Sequence, residues 1–319
     1  LLLLGKQLKI VGADELADVF FMDPTGITKG TPVAIKFAWV DPPTKLPAPA
    51  VLPTGNGLGV AWDPTGQYLA VAHITSPYLT VYRRDGDSLT KLPAPAVLPT
   101  GDGLGVAWDP TGQYLAVGHS SSPYLTVYRR EGNSLTKLPA PAVLPTNVGR
   151  GVAWDPTGQY LAVGHSSSPY LTVYRRDGDS LTKLTDPAVL PTGAGWGVAW
   201  DPTGQYLAVG HSSSPYLTVY RREGNSLTKL PDPAVLPTGD GLGVAWDPTG
   251  QYLAVGHSSS PYLTVYRGLA WAERVAYATG NTLADLLSYI ATGVIGFGIA
   301  AETGGFKDRR KVSRIWRNE

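Results

Sequence analysis

Gly59-Val60-Ala61-Trp62-Asp63-Pro64-Thr65-Gly66-Gln67-Tyr68-Leu69-Ala70-Val71 decides the fold, because the same residues return in order from Gly105, Gly151, Gly197 and Gly243. Trp62, Trp108, Trp154, Trp200 and Trp246 mark a period of 46 residues. A unit of this length, built of short strands, cannot bury its apolar faces alone, so its copies must pack on one another.

The strands can be read within one copy. Gly59 to Trp62 is a short apolar run. Asp63-Pro64-Thr65-Gly66 is a turn, since proline presets φ and glycine accepts the exit conformation. Tyr68 to Ala72 is continuously apolar, as a strand buried on both faces must be, and His73-Ile74-Thr75-Ser76-Pro77 breaks it. Tyr78 to Tyr82 alternates, with Leu79 and Val81 on one face and the tyrosines on the other. Asp85-Gly86 supplies a hairpin with positive φ, and Leu89 to Leu92 makes a short outer strand. Four strands per copy describe one propeller blade.

The ends of the array suggest how it closes. Thr44-Lys45-Leu46-Pro47-Ala48-Pro49-Ala50 copies Thr90 to Ala96, whereas the fifth copy stops at Tyr266-Arg267. An N-terminal strand that completes the last blade would remove exposed sheet edges. The expected fold is therefore an all-β propeller of five blades over residues 44–267, closed by the N-terminal strand. Residues 1–43 form an adaptor and residues 268–319 a C-terminal docking segment. A competing expectation takes Phe20-Phe21-Met22-Asp23-Pro24-Thr25-Gly26 and Val33 to Val40 as a degenerate sixth blade.

The run Val60 to Val71, with Leu79-Thr80-Val81-Tyr82, resembles the first three strands of WD40-type propellers. It lacks their Gly-His before the first strand and their Trp-Asp after the third. With the near-identity of the copies and the C-terminal Gly296-Phe297-Gly298-Ile299-Ala300-Ala301-Glu302-Thr303-Gly304-Gly305, these departures are similar to propeller-bearing virion and tail-associated proteins of tailed bacteriophages. That resemblance implies a structural or host-contacting particle component located on the virion, and it transfers no catalytic residue.

Composition bounds the chemistry. The chain has 319 residues, a net charge of +1 and no cysteine, which removes disulfides, thiolate metal sites and cysteine nucleophiles. Near-neutral charge gives no global pull toward nucleic acid or an anionic membrane. Leu1 to Leu4 before Lys6 are too few for the apolar core of a signal peptide and read as a processed or truncated start.

Positions that differ between otherwise copied blades have escaped the constraint of blade construction. Before each first strand stand Asn56-Gly57-Leu58, Asp102-Gly103-Leu104, Val148-Gly149-Arg150, Ala194-Gly195-Trp196 and Asp240-Gly241-Leu242. Leu58, Leu104, Arg150, Trp196 and Leu242 are expected on the loop bordering the central channel. Large, chemically distinct residues there suggest an asymmetric binding face, with drift at a tolerant loop as the alternative.

The repeated polar residues read as structure. His73, His119, His165, His211 and His257 have identical neighbours, whereas a catalytic histidine needs a distinct partner; each is expected to bond its following Ser-rich loop. Asp63 and its copies are turn residues. Asp85-Gly86-Asp87 and its copies offer too few oxygens for calcium. Arg83-Arg84 and its copies read as a solvated, self-neutralised rim. No catalytic residue, metal ligand or cofactor is expected.

Around the array, a short helix is expected near Ala13 to Phe21, a strand over Val33 to Val40, a helix over Thr282 to Ile290, and a β-hairpin turning at Glu302 to Gly305. The uncharged run Leu286 to Ala301 is short for a bilayer crossing, although Lys307, Arg309, Arg310 and Lys311 could flank one. The leading functional expectation is a non-enzymatic virion component whose ends attach to other particle subunits and whose face meets a host glycan or protein. A lectin using repeated Tyr, His and Ser pockets is the alternative, and a propeller hydrolase the third.

Overall fold

The computed structural model describes residues 45–267 continuously and, at backbone level, four short strands before them: β1 (Leu2–Leu3), β2 (Lys6–Lys9), β3 (Phe20–Asp23) and β4 (Gly26–Ile27). Contacts divide the chain into two units, 1–47 and 48–319.

In the first unit, β1 to β4 form an antiparallel sheet in sequential order, and β3 and β4 pair Met22 with Ile27. The strand carrying the Asp23-Pro24-Thr25-Gly26 turn is third in this sheet, whereas in the repeats it is first. The segment is therefore not a sixth copy of the repeat. Phe20 and Phe21 are strand, not the end of a helix. The expected strand over 33–40 and the helix, hairpin and uncharged run within 268–319 lie outside the described residues.

Over its described residues, 48–267, the second unit is all-β, with five blades arranged as a propeller. Blade one is β5 (Gly57–Trp62), β6 (Tyr68–His73), β7 (Leu79–Asp85) and β8 (Ser88–Lys91). Blade two is β9 (Gly103–Trp108), β10 (Tyr114–His119), β11 (Leu125–Glu131) and β12 (Ser134–Lys137). Blade three is β13 (Gly149–Trp154), β14 (Tyr160–His165), β15 (Leu171–Asp177) and β16 (Ser180–Lys183). Blade four is β17 (Gly195–Trp200), β18 (Tyr206–His211), β19 (Leu217–Glu223) and β20 (Ser226–Lys229). Blade five has β21 (Gly241–Trp246), β22 (Tyr252–His257) and β23 (Leu263–Arg267).

Each sheet is an antiparallel meander, as short turns between consecutive strands require. The turn chemistry is as expected. Asp109 Oδ1 accepts from the Tyr114 amide at 2.8 Å, Thr111 Oγ1 donates to Asp109 Oδ2 at 2.6 Å, and Gly112 has φ +68°. The long Pro-rich connection between blades is pinned by the third strand, where the Tyr128 hydroxyl donates to Val97 O at 2.9 Å. Tyr128 is fully buried, so both faces of this strand are interior despite its alternating sequence.

Blades pack face to face through the repeated tryptophan. Trp154 of blade three packs on Tyr114, Ala116, Leu125 and Val127 of blade two, and the Tyr114 and Trp154 ring centroids are 6.4 Å apart. Arg176 lies over Tyr114, its Cζ 4.0 Å from the ring centroid, and its Nε donates to Gly158 O at 2.9 Å. The Tyr114 hydroxyl donates to Asp179 Oδ1 at 3.1 Å in the next blade. In blades two to four the second arginine of the pair is thus a staple between blades, and on the rim Arg129 pairs with Glu131 of its own blade and Asp179 of the next.

The residues equivalent to β8 in the expected closing strand are 42–45, of which 42–44 lie outside the described residues. The fifth sheet has three strands, and residues 45–50 belong to none. The copies of Ser88 and Leu89 in the N-terminal segment are Pro42 and Pro43. The end blades bare their faces. Trp62 is 48% exposed against 8% for Trp154, and Leu263 is 55% exposed against 2% for Leu217.

Candidate functional site

The repeat-breaking residues lie within the innermost strands, not on the preceding loop. Gly57 pairs with His73 and Gly59 with Ala72, which leaves Leu58 as an extra residue; the same shift falls between Gly103 and Gly105 and between Gly241 and Gly243, and in blades three and four between Gly149 and Val152 and between Gly195 and Val198. Leu58, Leu104, Arg150, Trp196 and Leu242 therefore occupy β-bulges, where a side chain is released from the ladder and its identity is free to vary. The flanking Gly-X-Gly was the sequence signal for this. A Cβ on Gly105 would collide with Arg150 O, and one on Gly151 with Trp196 O, so glycine is what lets adjacent innermost strands approach.

The fold brings two of the five variable residues together. Arg150 Cζ stands 3.8 Å from the centroid of the Trp196 ring in the next blade, a cation–π stack. Arg150 Nε donates to Ser166 Oγ at 3.2 Å. No ion pair among the described residues involves Arg150, and burial pulls its pKa below the ordinary value. Leu58 and Leu242 are exposed and Leu104 half-buried.

The loop after the second strand lies at the same end, since the Ser120 amide donates to Asp102 O at 3.0 Å. Blade three is further distinguished by Asn147, which replaces the glycine of the other copies. Its Nδ2 donates to Ser167 Oγ at 2.9 Å and its Oδ1 accepts from the Val148 amide at 2.7 Å, bracing the approach to Arg150. Comparing the copies one residue further upstream would have found it.

The histidines do not join this site. His119, His165 and His211 are fully buried, and their Nε2 atoms lie 3.0, 2.9 and 3.0 Å from Thr126, Thr172 and Thr218 Oγ1 on the adjacent strand. Burial lowers the pKa of each to about 4. The backbone of the following serine loop bonds each ring at Ser121, Ser167 and Ser213, as expected, and the threonine is a further partner, so the lectin expectation loses its histidines. Among the described residues, no three His, Asp or Glu side chains gather as a metal site, and no helix is long and apolar enough to cross a membrane.

No protein-family model and no curated protein matches the chain. Solved structures do match it. The periplasmic gluconolactonase PpgL of Pseudomonas aeruginosa is 20% identical, with 66% of each chain covered and a TM-score of 0.53. A Bacteroides uniformis protein described as a candidate 6-phosphogluconolactonase is 15% identical, covering 80% of this chain and 75% of that one, with a TM-score of 0.54. Kuenenia stuttgartiensis hydrazine synthase is 16% identical, covering 84% and 75%, with a TM-score of 0.55. This chain spans two thirds to three quarters of their lengths. At these identities the likeness establishes the propeller fold alone. The expectation of a non-enzymatic bacteriophage component is corrected on this finding: the similar proteins carry enzyme names, two of them gluconolactonase-type, and none of the three is a virion protein.

Proposed function

We propose that the bulged end of the innermost strands binds a small sugar acid, an anionic aldonate, and the lactone that hydrolyses to it, and that the chain belongs to the hydrolase class acting on such lactones. The observation that carries this reading is the Arg150 guanidinium, stacked on Trp196 and in no ion pair among the described residues. A half-buried cation without a carboxylate partner favours a bound anion, and an indole beside it offers apolar surface to a sugar ring. The lactonase names of two structural neighbours support the same ligand class.

Opening a lactone adds water to the carbonyl carbon, which places negative charge on the carbonyl oxygen, and then breaks the ring C–O bond, whose leaving oxygen takes the proton that the base received from the water. Arg150 would stabilise that charge. A general base must accept a proton from the water. The histidines are sealed against threonines and the repeated turn aspartates are engaged by their own turns, which leaves the repeat-breaking Asp102 and Asp240 as candidates at this end.

The test has two arms. Calorimetry with gluconate reads binding, and proton release from glucono-δ-lactone and its 6-phosphate reads hydrolysis. Arg150→Leu, which copies the leucine of three other blades, should weaken gluconate binding at least tenfold and abolish hydrolysis above the spontaneous rate, with an unchanged melting temperature. Wild-type protein inert in both arms, or an Arg150→Leu variant equal to wild type, refutes the proposal.

A further inference from the structure

The two bare faces of the array are complementary halves of a contact that the molecule already makes four times. At each internal joint, the Leu and Val of the third strand receive the tryptophan and valine of the next innermost strand, joined at the first three by the tyrosine of the second strand. Blade five presents the receiving half uncovered: Tyr252, Leu263 and Val265 are exposed. Blade one presents the inserting half uncovered, with Trp62 and Val60, the latter 70% exposed.

The backbone repeats the pattern. A Cβ on Gly197 would meet Gly243 Cα at 2.9 Å, and one on Gly210 would meet Val244 Cγ1 at 3.3 Å. The same glycines in blade five, Gly243 and Gly256, have nothing within 4 Å. Patches of this size and shape on a repeat protein are unfinished stacking surfaces, which ordinary arrays protect with polar caps.

We infer that blade five of one molecule seats blade one of a second copy of this chain, head to tail, with Val60 of the second copy against Gly256 and Trp62 against Tyr252. The occupant follows from the sequence identity of the copies: the face that fits blade five is the face that blades two to five each present to the blade before, and blade one carries the same residues. Such a contact is heterologous, so it propagates as a chain or closes as a ring.

Two substitutions test the inference because each sits in open space and spares the monomer. Val60→Arg blocks the inserting face, and Gly243→Val blocks the receiving one. In sedimentation equilibrium the wild-type protein should exceed monomer mass increasingly with concentration, while each variant alone should remain a monomer with wild-type melting behaviour. An equimolar mixture of the two variants should give a one-to-one dimer, since each keeps the half that the other lacks. Monomeric wild type, a mixture that stays monomeric, or a variant that still associates alone overturns the inference. The first result would mean that the faces are covered within one chain, and the last would indicate another interface.

Discussion

Lowering the pH should unfold this array well before its carboxylates are protonated, because three histidines are held neutral inside it. His119, His165 and His211 are fully buried, and desolvation brings each from 6.5 to about 4. Above pH 6.5 these groups are neutral both folded and unfolded and cost nothing. As pH falls through the window from about 6.5 to about 4, the unfolded chain takes up three protons that the folded chain refuses, so stability falls with pH. The slope is about 1.4 kcal/mol per pH unit for each histidine, or roughly 4 kcal/mol per unit for the three together. Across the window each contributes a loss of about 3 kcal/mol, and their sum rivals the 5–15 kcal/mol typical of whole domains. Urea denaturation followed by tryptophan fluorescence, at half-unit steps from pH 7.5 to 4.5, measures the slope directly. His165→Gln should remove about a third of it, whatever the variant does to stability at pH 7.5. A midpoint that is flat between pH 7 and 5, or a slope unchanged by His165→Gln, would refute the argument by showing that the rings are hydrated or already charged in the fold.

Trp154→Ala should cost about 3–5 kcal/mol in the same assay, since it empties the joint between blades two and three beside Tyr114; a loss below about 1 kcal/mol would mean that the joint is not packed. Arg176→Leu should cost about 1–2 kcal/mol by removing both the stack on Tyr114 and the bond to Gly158 O, and the loss should persist in high salt because neither contact is an exposed ion pair. Gly151→Ala should destabilise by about 1–3 kcal/mol or more through collision with Trp196 O, whereas Gly243→Ala, with open space around it, should leave the monomer's melting temperature essentially unchanged. Equal effects of the two glycine changes would remove the case that blade five ends in a bare face.

Much of the blade was legible because its determinants are local. The 46-residue period, the Asp-Pro-Thr-Gly turn and the hairpin glycine follow from chain geometry within a few residues, and the structure places strands and positive-φ glycines there. The variable residues were also visible, because five copies of one unit show what the unit itself does not require. Their setting was not: that Leu58 and its equivalents are bulges depends on pairing with a strand some fifteen residues away, in which Gly57 faces His73 and Gly59 faces Ala72.

What only the tertiary structure decided concerns contacts between copies. The stack of Arg150 on Trp196 joins residues 46 positions apart, and the bond from Tyr114 to Asp179 spans 65. Identical sequences cannot announce which neighbour each copy meets, or that the first and last copies bare halves of a joint. The periodicity determined that blades exist and stack. Whether the stack closes depends on summed small rotations between sheets, which no single copy encodes.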